Sequence, residues 1–410
     1  MENNIEFAKK KDLENPLRHF RSKFFLPKID QKTIYFSGHS LGPMPIKAKE
    51  YVDEELSCWQ KLALSGHYKE KLPWKNYNDN LHGPFARLVG AKESEVSAMN
   101  ALTVNLHLML VSFYRPTSKR YKILIENNAF PSDQYAVDSQ VRFHGYDPKD
   151  AIIELKGNPA VDEDSILYTI EKNKDELALV MLGNVNYLSG QAFDVAAITA
   201  LAHKYKIPVG FDLAHGVGNL EFSLHDHNVD FAVWCSYKYL NSGPGAVGGF
   251  FVHERHHGDK SIPRFEGWFG NNKENRFDMN RKFDPINSAQ AWELSNPAIF
   301  QLAAMRASME IFEEASMPKI RAVGNELTGY LEFLLKENCP KIEVVTPKRR
   351  GSMLSVIFKG DTEGLFKHLV EKKVEVDLRR PNIFRITPAP LYNTFNEVFE
   401  TVNHIKSYKS

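Results

Sequence analysis

The feature that most constrains this chain is an alternation between positions 121 and 252, where short apolar runs are separated by segments of helical length. Tyr121 to Glu126 (YKILIE), Leu177 to Leu182 (LALVML), Ile207 to Leu213 (IPVGFDL), Val229 to Cys235 (VDFAVWC) and Gly249 to Val252 (GFFV) each read as a strand. Between two of them, Gln191 to Lys206 carries Val195, Ile198, Ala202 and Tyr205 at helical spacing. Strands spaced by helices form βαβ units, so the expectation is an α/β fold with a mostly parallel sheet. Ligands of such sheets collect at the carboxyl ends of the strands.

The pattern changes further on. Asn296 suits a helix N-cap and Pro297 a first helical position, which predicts a helix from about 297 to 315 with Ile299, Leu302, Ala303 and Met309 on one face. A helix over Arg321 to Lys336 follows, then short strands such as Ser352 to Phe358 and Val374 to Leu378, the pattern of a smaller α+β domain. The expected division is an N-terminal segment, 1–49, packing on the small domain; a large domain, 50–315; and the small C-terminal domain, 316–410.

Composition excludes several classes of function. The chain has 52 Lys and Arg against 51 Asp and Glu, so it lacks the basic excess of a nucleic-acid binder. No run approaches the roughly 18 apolar residues of a membrane span. Met1 to Lys11 is polar and lacks the apolar core of an export signal. Cys58, Cys235 and Cys339 are scattered and odd in number, which suits a reducing, cytoplasmic setting and neither a disulfide framework nor a cysteine zinc site.

Two motif matches fail on context. Gly243-Pro-Gly245-Ala-Val-Gly248 fits G-x-G-x-x-G, but a dinucleotide site needs a helix next, and here the strand-like Gly249 to Val252 follows. His253-Glu254-Arg-His-His257 fits H-E-x-x-H, but a zinc site needs both histidines on one helical face. This run follows a strand and is broken by Gly258, so solvated turn histidines are expected. His225-Asp226-His227 likewise reads as a polar loop, and no metal site is expected.

Asp212 and Lys238 carry the chemistry. Asp212 ends one strand and Lys238 follows the next, in Ser236-Tyr237-Lys238-Tyr239, so both side chains project from neighbouring carboxyl ends of one sheet. A lysine there can condense with a carbonyl cofactor, and a carboxylate can keep a pyridinium nitrogen protonated. Pyridoxal 5'-phosphate (PLP) needs this pair. Taken alone, the two residues fit a surface lysine and a helix-capping aspartate equally well. The context adds to them. Asn100-Ala-Leu102-Thr103 opens an apolar helix, whose amino end and hydroxyl can cradle a phosphate, although Thr103 could instead be only an N-cap. Phe130, Pro131, Ser132 and Asp133 offer an aromatic face beside polar groups, although such a run is ordinarily a packed turn.

At this point the chain closely resembles kynureninase, a PLP-dependent family of the aspartate aminotransferase fold (fold type I). The likeness runs through YFSGHSLG (35–42), MNALTVNLHLML (99–110), FPSDQYA (130–136), GWFG (267–270), SNPAIF (295–300) and RITPAPLYN (385–393). Its most specific block is GFDLAHGVGNLEFSLHDHNVDFAVWCSYKYLNSGPGA (210–246). The resemblance implies a seven-stranded-type sheet in the large domain, a homodimer with sites between subunits, and hydrolytic Cβ–Cγ cleavage of L-3-hydroxykynurenine or L-kynurenine to an anthranilate and L-alanine. That reaction belongs to tryptophan breakdown or NAD biosynthesis.

Roles follow by position. Lys238 would link the cofactor, and Asp212 would pair with its ring nitrogen, with His215 nearby. Phe130 would stack on the ring with Asp133 beside it. Leu102, Thr103 and Tyr237 would touch the phosphate, with Pro131 and Ser132 in the same cofactor-binding run. Tyr237 would also move protons. Trp268 and Asn296 would reach the cofactor from the partner subunit, and Arg385 would hold the substrate α-carboxylate. His67, Ser295 and Asn296 match the set of animal-type members that favour the 3-hydroxylated substrate. Three positions depart from the family's usual pattern: His39 for Asn, Gly183 for Ser, and Leu188 for an aromatic or arginine. A cysteine desulfurase-like lyase or an aminotransferase would share Asp212 and Lys238 but not the aryl pocket. A desulfurase would need a mobile cysteine, and Cys339 stands in a charged stretch with no Ser/Gly-rich loop. A non-catalytic regulatory module of the same fold would not require the intact lysine.

Overall fold

The expected strands assemble in one large sheet. The computed structural model describes residues 1–28 and 33–409. The sheet comprises β1 (Val96–Ser97), β2 (Lys122–Glu126), β3 (Ile152–Leu155), β4 (Leu177–Gly183), β5 (Val209–Asp212), β6 (Phe231–Trp234) and β7 (Gly249–Val252), in the order β1-β7-β6-β5-β4-β2-β3. The pairs among β2 to β6 are parallel, whereas β7 runs antiparallel to both β6 and β1. No helix intervenes between β6 and β7, and a parallel return would need a longer crossover. Strands β1 and β3 were not foreseen. One is only two residues long, and the other mixes polar and apolar residues without a clear period.

The inner strands are apolar on both faces because both are covered. Leu124, Val180, Leu182, Phe211, Ala232 and Trp234 point into one core, and Ile123, Ile125, Leu179, Met181, Phe231 and Val233 into the other. Alternate residues therefore serve opposite faces, as a pleated strand requires. Among the described residues, no helix is long and apolar enough to cross a membrane.

A second sheet of four strands joins Ile342–Val344, Leu354–Phe358, Ile383–Ile386 and Asp377–Arg379 in that spatial order. The run Val374 to Leu378, expected as one strand, is divided between two sheets. Val374–Glu375 pairs in parallel with Ile34–Tyr35, and Asp377–Arg379 pairs with Ile383–Ile386. The helix Ile5–Glu14 lies against Phe395–Ser407, where the Asp12 carboxylate accepts the N–H groups of Phe395 (2.7 Å) and Asn396 (3.0 Å). The helix predicted from Pro297 begins at Ile299 with Ala298 as its cap, so Asn296 is not the cap. Helix Met317–Asn338 follows at once.

Candidate active site

The carboxyl ends of β2, β4 and β5 and the loop after β6 open on one cleft. Leu102, Thr103, Phe130, Ser132, Asp133, Asp212, His215, Tyr237 and Lys238, all singled out in the sequence, line it. Pro131 does not line it and instead starts the helix Pro131–Phe143, where its fixed φ suits the first turn. Thr103 is the second residue of the helix Leu102–Phe113, and Ala101 is the N-cap. The Thr103 and Ser132 hydroxyls meet at 2.7 Å, so two helix amino ends and two hydroxyls converge at one end of the cleft. That donor set suits a phosphate.

Lys238 Nζ lies 3.0 Å from His215 Nε2 and 5.6 Å from the centre of the Phe130 ring. An ammonium donating to Nε2 leaves the imidazole hydrogen on Nδ1, and that atom is buried with no partner. Burial, reinforced by the charge of Lys238, holds His215 well below its ordinary pKa, so the ring is neutral. Asp212 Oδ1 accepts the Ala214 N–H at 2.7 Å. Burial raises the pKa of Asp212, and Lys238 opposes that rise. Asp133 is raised well above the ordinary range, first by burial and then by the charge of Asp212, and its Oδ1 has no partner.

Glu126 is a third carboxyl group here that the sequence reading missed. It ends β2 as Asp212 ends β5, and that shared position is the signal that could have found it. Its oxygens accept the Gly183 N–H at 3.1 and 3.0 Å, and burial pushes it up to about 7. A Cβ at Gly183 would stand 2.7 Å from Glu126 Oε1, so a side chain there would first displace this carboxyl. Val185, Tyr187 and Ala214 also line the cleft unforeseen.

These residues fit PLP. Among the described residues that line the cleft, three buried carboxyls face one lysine, Lys238, the condition that a protonated ring nitrogen relieves. The orphaned Asp133 Oδ1 and His215 Nδ1 await polar partners, and the paired hydroxyls supply a phosphate end. Phe130 is 43% exposed and turns its ring edge-on to Tyr187 (5.4 Å, 84°), leaving a face free for stacking.

Other expected residues lie apart from this cleft within the chain. Arg385 is buried near it, donating from Nε to Asp377 Oδ2 (2.6 Å) and from Nη1 to the Tyr187 carbonyl (2.9 Å). His67 packs edge-on against Trp74 at 5.6 Å. Ser295 and Asn296 are exposed. Trp268 is 42% exposed and donates from Nε1 to the Arg276 carbonyl at 3.1 Å. Leu188 sits in a turn closed by its N–H on Asn186 Oδ1 (3.0 Å), and its carbonyl accepts the Ser355 hydroxyl (2.6 Å).

The histidine motifs need one correction. His253 is buried and not solvated, because the end of β7 turns its side chain towards the buried Glu95. His225 Nδ1 approaches Glu95 Oε1 at 2.9 Å, and the ligand-type atoms of Glu95, His225 and His253 lie within 4.8 Å of one another. Glu95 already accepts the N–H groups of Lys92 (2.9 Å) and Glu254 (2.8 Å). The glycine motif is a loop with Gly243 and Gly245 at positive φ, and it leads into β7 as expected.

Known proteins resemble the chain over nearly its whole length. Residues 320–405 match the family model described as "Kynureninase C-terminal domain". The chain is 53% identical to kynureninase of Myxococcus xanthus, with 99% of this chain and 98% of that protein aligned. It is 47% identical to kynureninase of Flavobacterium johnsoniae (97% and 96%) and 44% identical to that of Nematostella vectensis (98% and 93%). Among solved structures, the cystine C–S lyase C-DES, in a mutant with glycine covalently linked to its PLP cofactor, superposes with a TM-score of 0.76 at 15% identity (92% of this chain, 97% of that one). The cysteine desulfurase CsdA of Escherichia coli gives 0.75 at 16% identity (94% and 96%). At such identities the structures establish the fold, whereas the full-length relatives establish the family: the chain belongs to the kynureninases, PLP-dependent enzymes that cleave a carbon–carbon bond.

Proposed function

We propose that the chain hydrolyses the Cβ–Cγ bond of L-3-hydroxykynurenine in preference to L-kynurenine, releasing a hydroxyanthranilate and L-alanine. The observation that carries the reaction is the meeting of Lys238, Asp212, Asp133 and His215 with two hydroxyl-bearing helix ends in one cleft. PLP, when bound, supplies an electron sink for the bonds around the substrate α-carbon. Asp212 would keep the ring nitrogen protonated, Phe130 would stack on the ring, and Leu102, Thr103, Ser132 and Tyr237 would hold the phosphate. Lys238 Nζ would be the base that takes the proton from the substrate α-carbon. The Tyr237 hydroxyl stays protonated, since burial raises its pKa, and so can donate a proton as water adds to the γ-carbonyl. Arg385 binds the α-carboxylate, a task suited to a guanidinium fork.

His67, Ser295 and Asn296 read the ring hydroxyl in this proposal. A pocket that hydrogen-bonds such a group discriminates against a substrate lacking it, because its polar groups are then left unpaired. Because these residues and Trp268 lie outside the chain's own cleft, the reading includes a homodimer in which the partner subunit delivers them. It also includes a cytoplasmic location, a role in tryptophan catabolism or NAD biosynthesis, and the division at 1–49, 50–315 and 316–410. Pairing of Ile34–Tyr35 with Val374–Glu375 supports that division. Against a desulfurase, Cys339 is buried and its thiol is pushed up to about 11, the reverse of what a sulfur nucleophile needs.

The test is kcat/KM for L-alanine release from both substrates with PLP saturating. Preference for the 3-hydroxylated one, lost in Asn296→Ala, is expected. Preference for plain kynurenine would overturn the pocket assignment, and absence of turnover with either would overturn the reaction.

A further inference from the structure

Away from the cleft, at the amino edge of the large sheet, three side chains able to bind a metal meet from three separate loops. Glu95 ends the turn before β1, His225 lies between β5 and β6, and His253 follows β7. Glu95 is 0% exposed, and its ion-pair partners among the described residues are these two histidines. The backbone fixes the hydrogen of His253. Its Nδ1 accepts the Arg255 N–H (3.2 Å), so that atom carries a lone pair. Its Nε2 meets the His225 carbonyl (3.3 Å), which can only accept, so the ring hydrogen sits there. Nδ1 nevertheless lies 3.6 Å from Glu95 Oε1. A lone pair thus faces a buried carboxylate with no hydrogen between them, and a cation placed there turns that contact from repulsive to favourable. On the other side, His225 Nδ1 lies 2.9 Å from the same oxygen, and the two imidazoles stack at 5.0 Å between centres.

We propose that Glu95, His225 and His253 form a binding site for a zinc ion, held by Glu95 Oε1 and the two Nδ1 atoms. Zinc bonds of about 2.0 Å to nitrogen and oxygen place the corners of a tetrahedron about 3.3 Å apart. The measured edges of 2.9 and 3.6 Å bracket that length, and the three atoms lie within 4.8 Å of one another. Two imidazoles and one carboxylate suit zinc, whereas magnesium and calcium take oxygen ligands. The hydrogen bonds that orient the ligands are in place: His253 Nε2–H on the His225 carbonyl, and the Lys92 and Glu254 N–H groups on Glu95. Without metal, these bonds and that of His225 to Glu95 keep the three groups together. Entry of zinc displaces the hydrogen that His225 Nδ1 shares with Glu95, and the proton passes to solvent. Solvent reaches the site on the His225 side, where that side chain is 26% exposed, and water completes the coordination. The ion ties three loops of the amino edge together and takes no part in the chemistry at the carboxyl edge. Neither histidine motif predicts it, because each supplies one ligand and Glu95 comes from a third part of the chain.

The experiment takes the PLP-loaded protein without a histidine tag, removes metal with EDTA, and titrates it with zinc chloride by calorimetry. One zinc per chain is expected, with a rise in Tm of about 3 °C when zinc stands about 100-fold above its Kd. His225→Ala is expected to weaken zinc at least about 100-fold and to abolish the rise in Tm, since loss of an outer hydrogen-bond partner alone costs about 10- to 100-fold. Glu95→Gln, which keeps an oxygen for the backbone N–H groups, is expected to do the same. His225→Gln takes the place of His225→Ala if the smaller side chain does not fold. His227→Ala, a change at an exposed histidine of the same loop, is expected to bind zinc as the parent does. Cobalt in place of zinc is expected to give the visible bands of a four-coordinate ion, measured against the metal-free protein with PLP bound, and to give none in His225→Ala. Absence of zinc binding by the parent would overturn the proposal. Binding that survives both His225→Ala and Glu95→Gln would also overturn it, because the ion would then sit elsewhere.

Discussion

The two edges of the large sheet bury carboxyl groups under opposite conditions. At the amino edge, Asp230 precedes β6 and is surrounded by donors: His203 Nε2 (2.8 Å), His256 Nε2 (2.8 Å), Arg255 Nη2 (2.6 Å) and the Val209 N–H (2.7 Å). Burial alone would raise its pKa, but these partners overcome that and hold it well below the carboxylate range. At the carboxyl edge, Glu126, Asp133 and Asp212 share one lysine, and all three are raised. The same sheet thus has a satisfied edge that contributes stability and an unsatisfied edge that a ligand must complete. Buried charge is retained in a fold only when paired, or where its pairing is deferred to a bound group.

The largest effect that could break this comparison comes from Lys238→Ala. It removes the cation lining the carboxyl edge and is expected to lower kcat on the order of 10⁴-fold or more, with loss of the visible absorbance of the lysine-linked cofactor. Retained turnover would move the chemistry elsewhere. Asp230→Ala is the counterpart at the other edge. It leaves Arg255 without its carboxylate and is expected to cost on the order of 4 kcal/mol in denaturant unfolding, with kcat of the folded fraction unchanged. A variant that unfolds no more easily but loses kcat would abolish the distinction between the edges.

The edges should also differ in sign with pH. A depressed carboxyl such as Asp230 contributes stability above its unfolded pKa of about 3.9 and loses it as pH falls through the folded value. A raised carboxyl such as Glu126 acts the other way: the folded state binds its proton more tightly, so stability falls as pH rises from about 4.5 towards the folded value, about 7. Glu126→Gln in the PLP-free protein is therefore expected to be more stable than the parent at pH 8, by up to roughly 3 kcal/mol, and equal to it at pH 4. Unfolding free energies at the two pH values test this. A difference that grows at low pH would mean that Glu126 is ionised and paired.

How much of this was legible in the sequence follows from the same contrast. Asp212 ends one short apolar strand and Lys238 follows another, both strands are buried on both faces, and their ends announce the residues that come after them. Thr103, Phe130 and Asp133 stood out from the residues themselves only beside equally ordinary readings, and the family resemblance gave them roles, since a phosphate-binding helix end looks like any helix start. Glu126 was missed because an acidic residue after three apolar ones reads as a strand end and nothing more. Its role depends on Gly183, 57 positions away, whose missing side chain leaves room for the carboxyl. His253 was misread because its motif is local, whereas it lies buried beside Glu95, which precedes the neighbouring strand β1. Val374 to Leu378 was read as one strand because alternation cannot reveal that its two ends join different sheets.

The smallest effect sharpens the comparison at the amino edge. If that edge is satisfied several times over, removing one donor should cost little, because the remaining donors keep the carboxylate paired. Glu95 provides the case: it accepts from Lys92 N, Glu254 N and His225, with His253 Nδ1 3.6 Å away. His225 is partly exposed, so its loss opens Glu95 to water rather than stranding it in an apolar cavity. His225→Ala should therefore lower the unfolding free energy by about 1 kcal/mol and leave both KM and kcat unchanged within about twofold. Denaturant unfolding and steady-state kinetics on the same preparation decide it. A loss of several kcal/mol would mean that the histidine, and not the backbone donors, holds Glu95 in place. A change in KM would mean that the two edges are coupled through the strands between them.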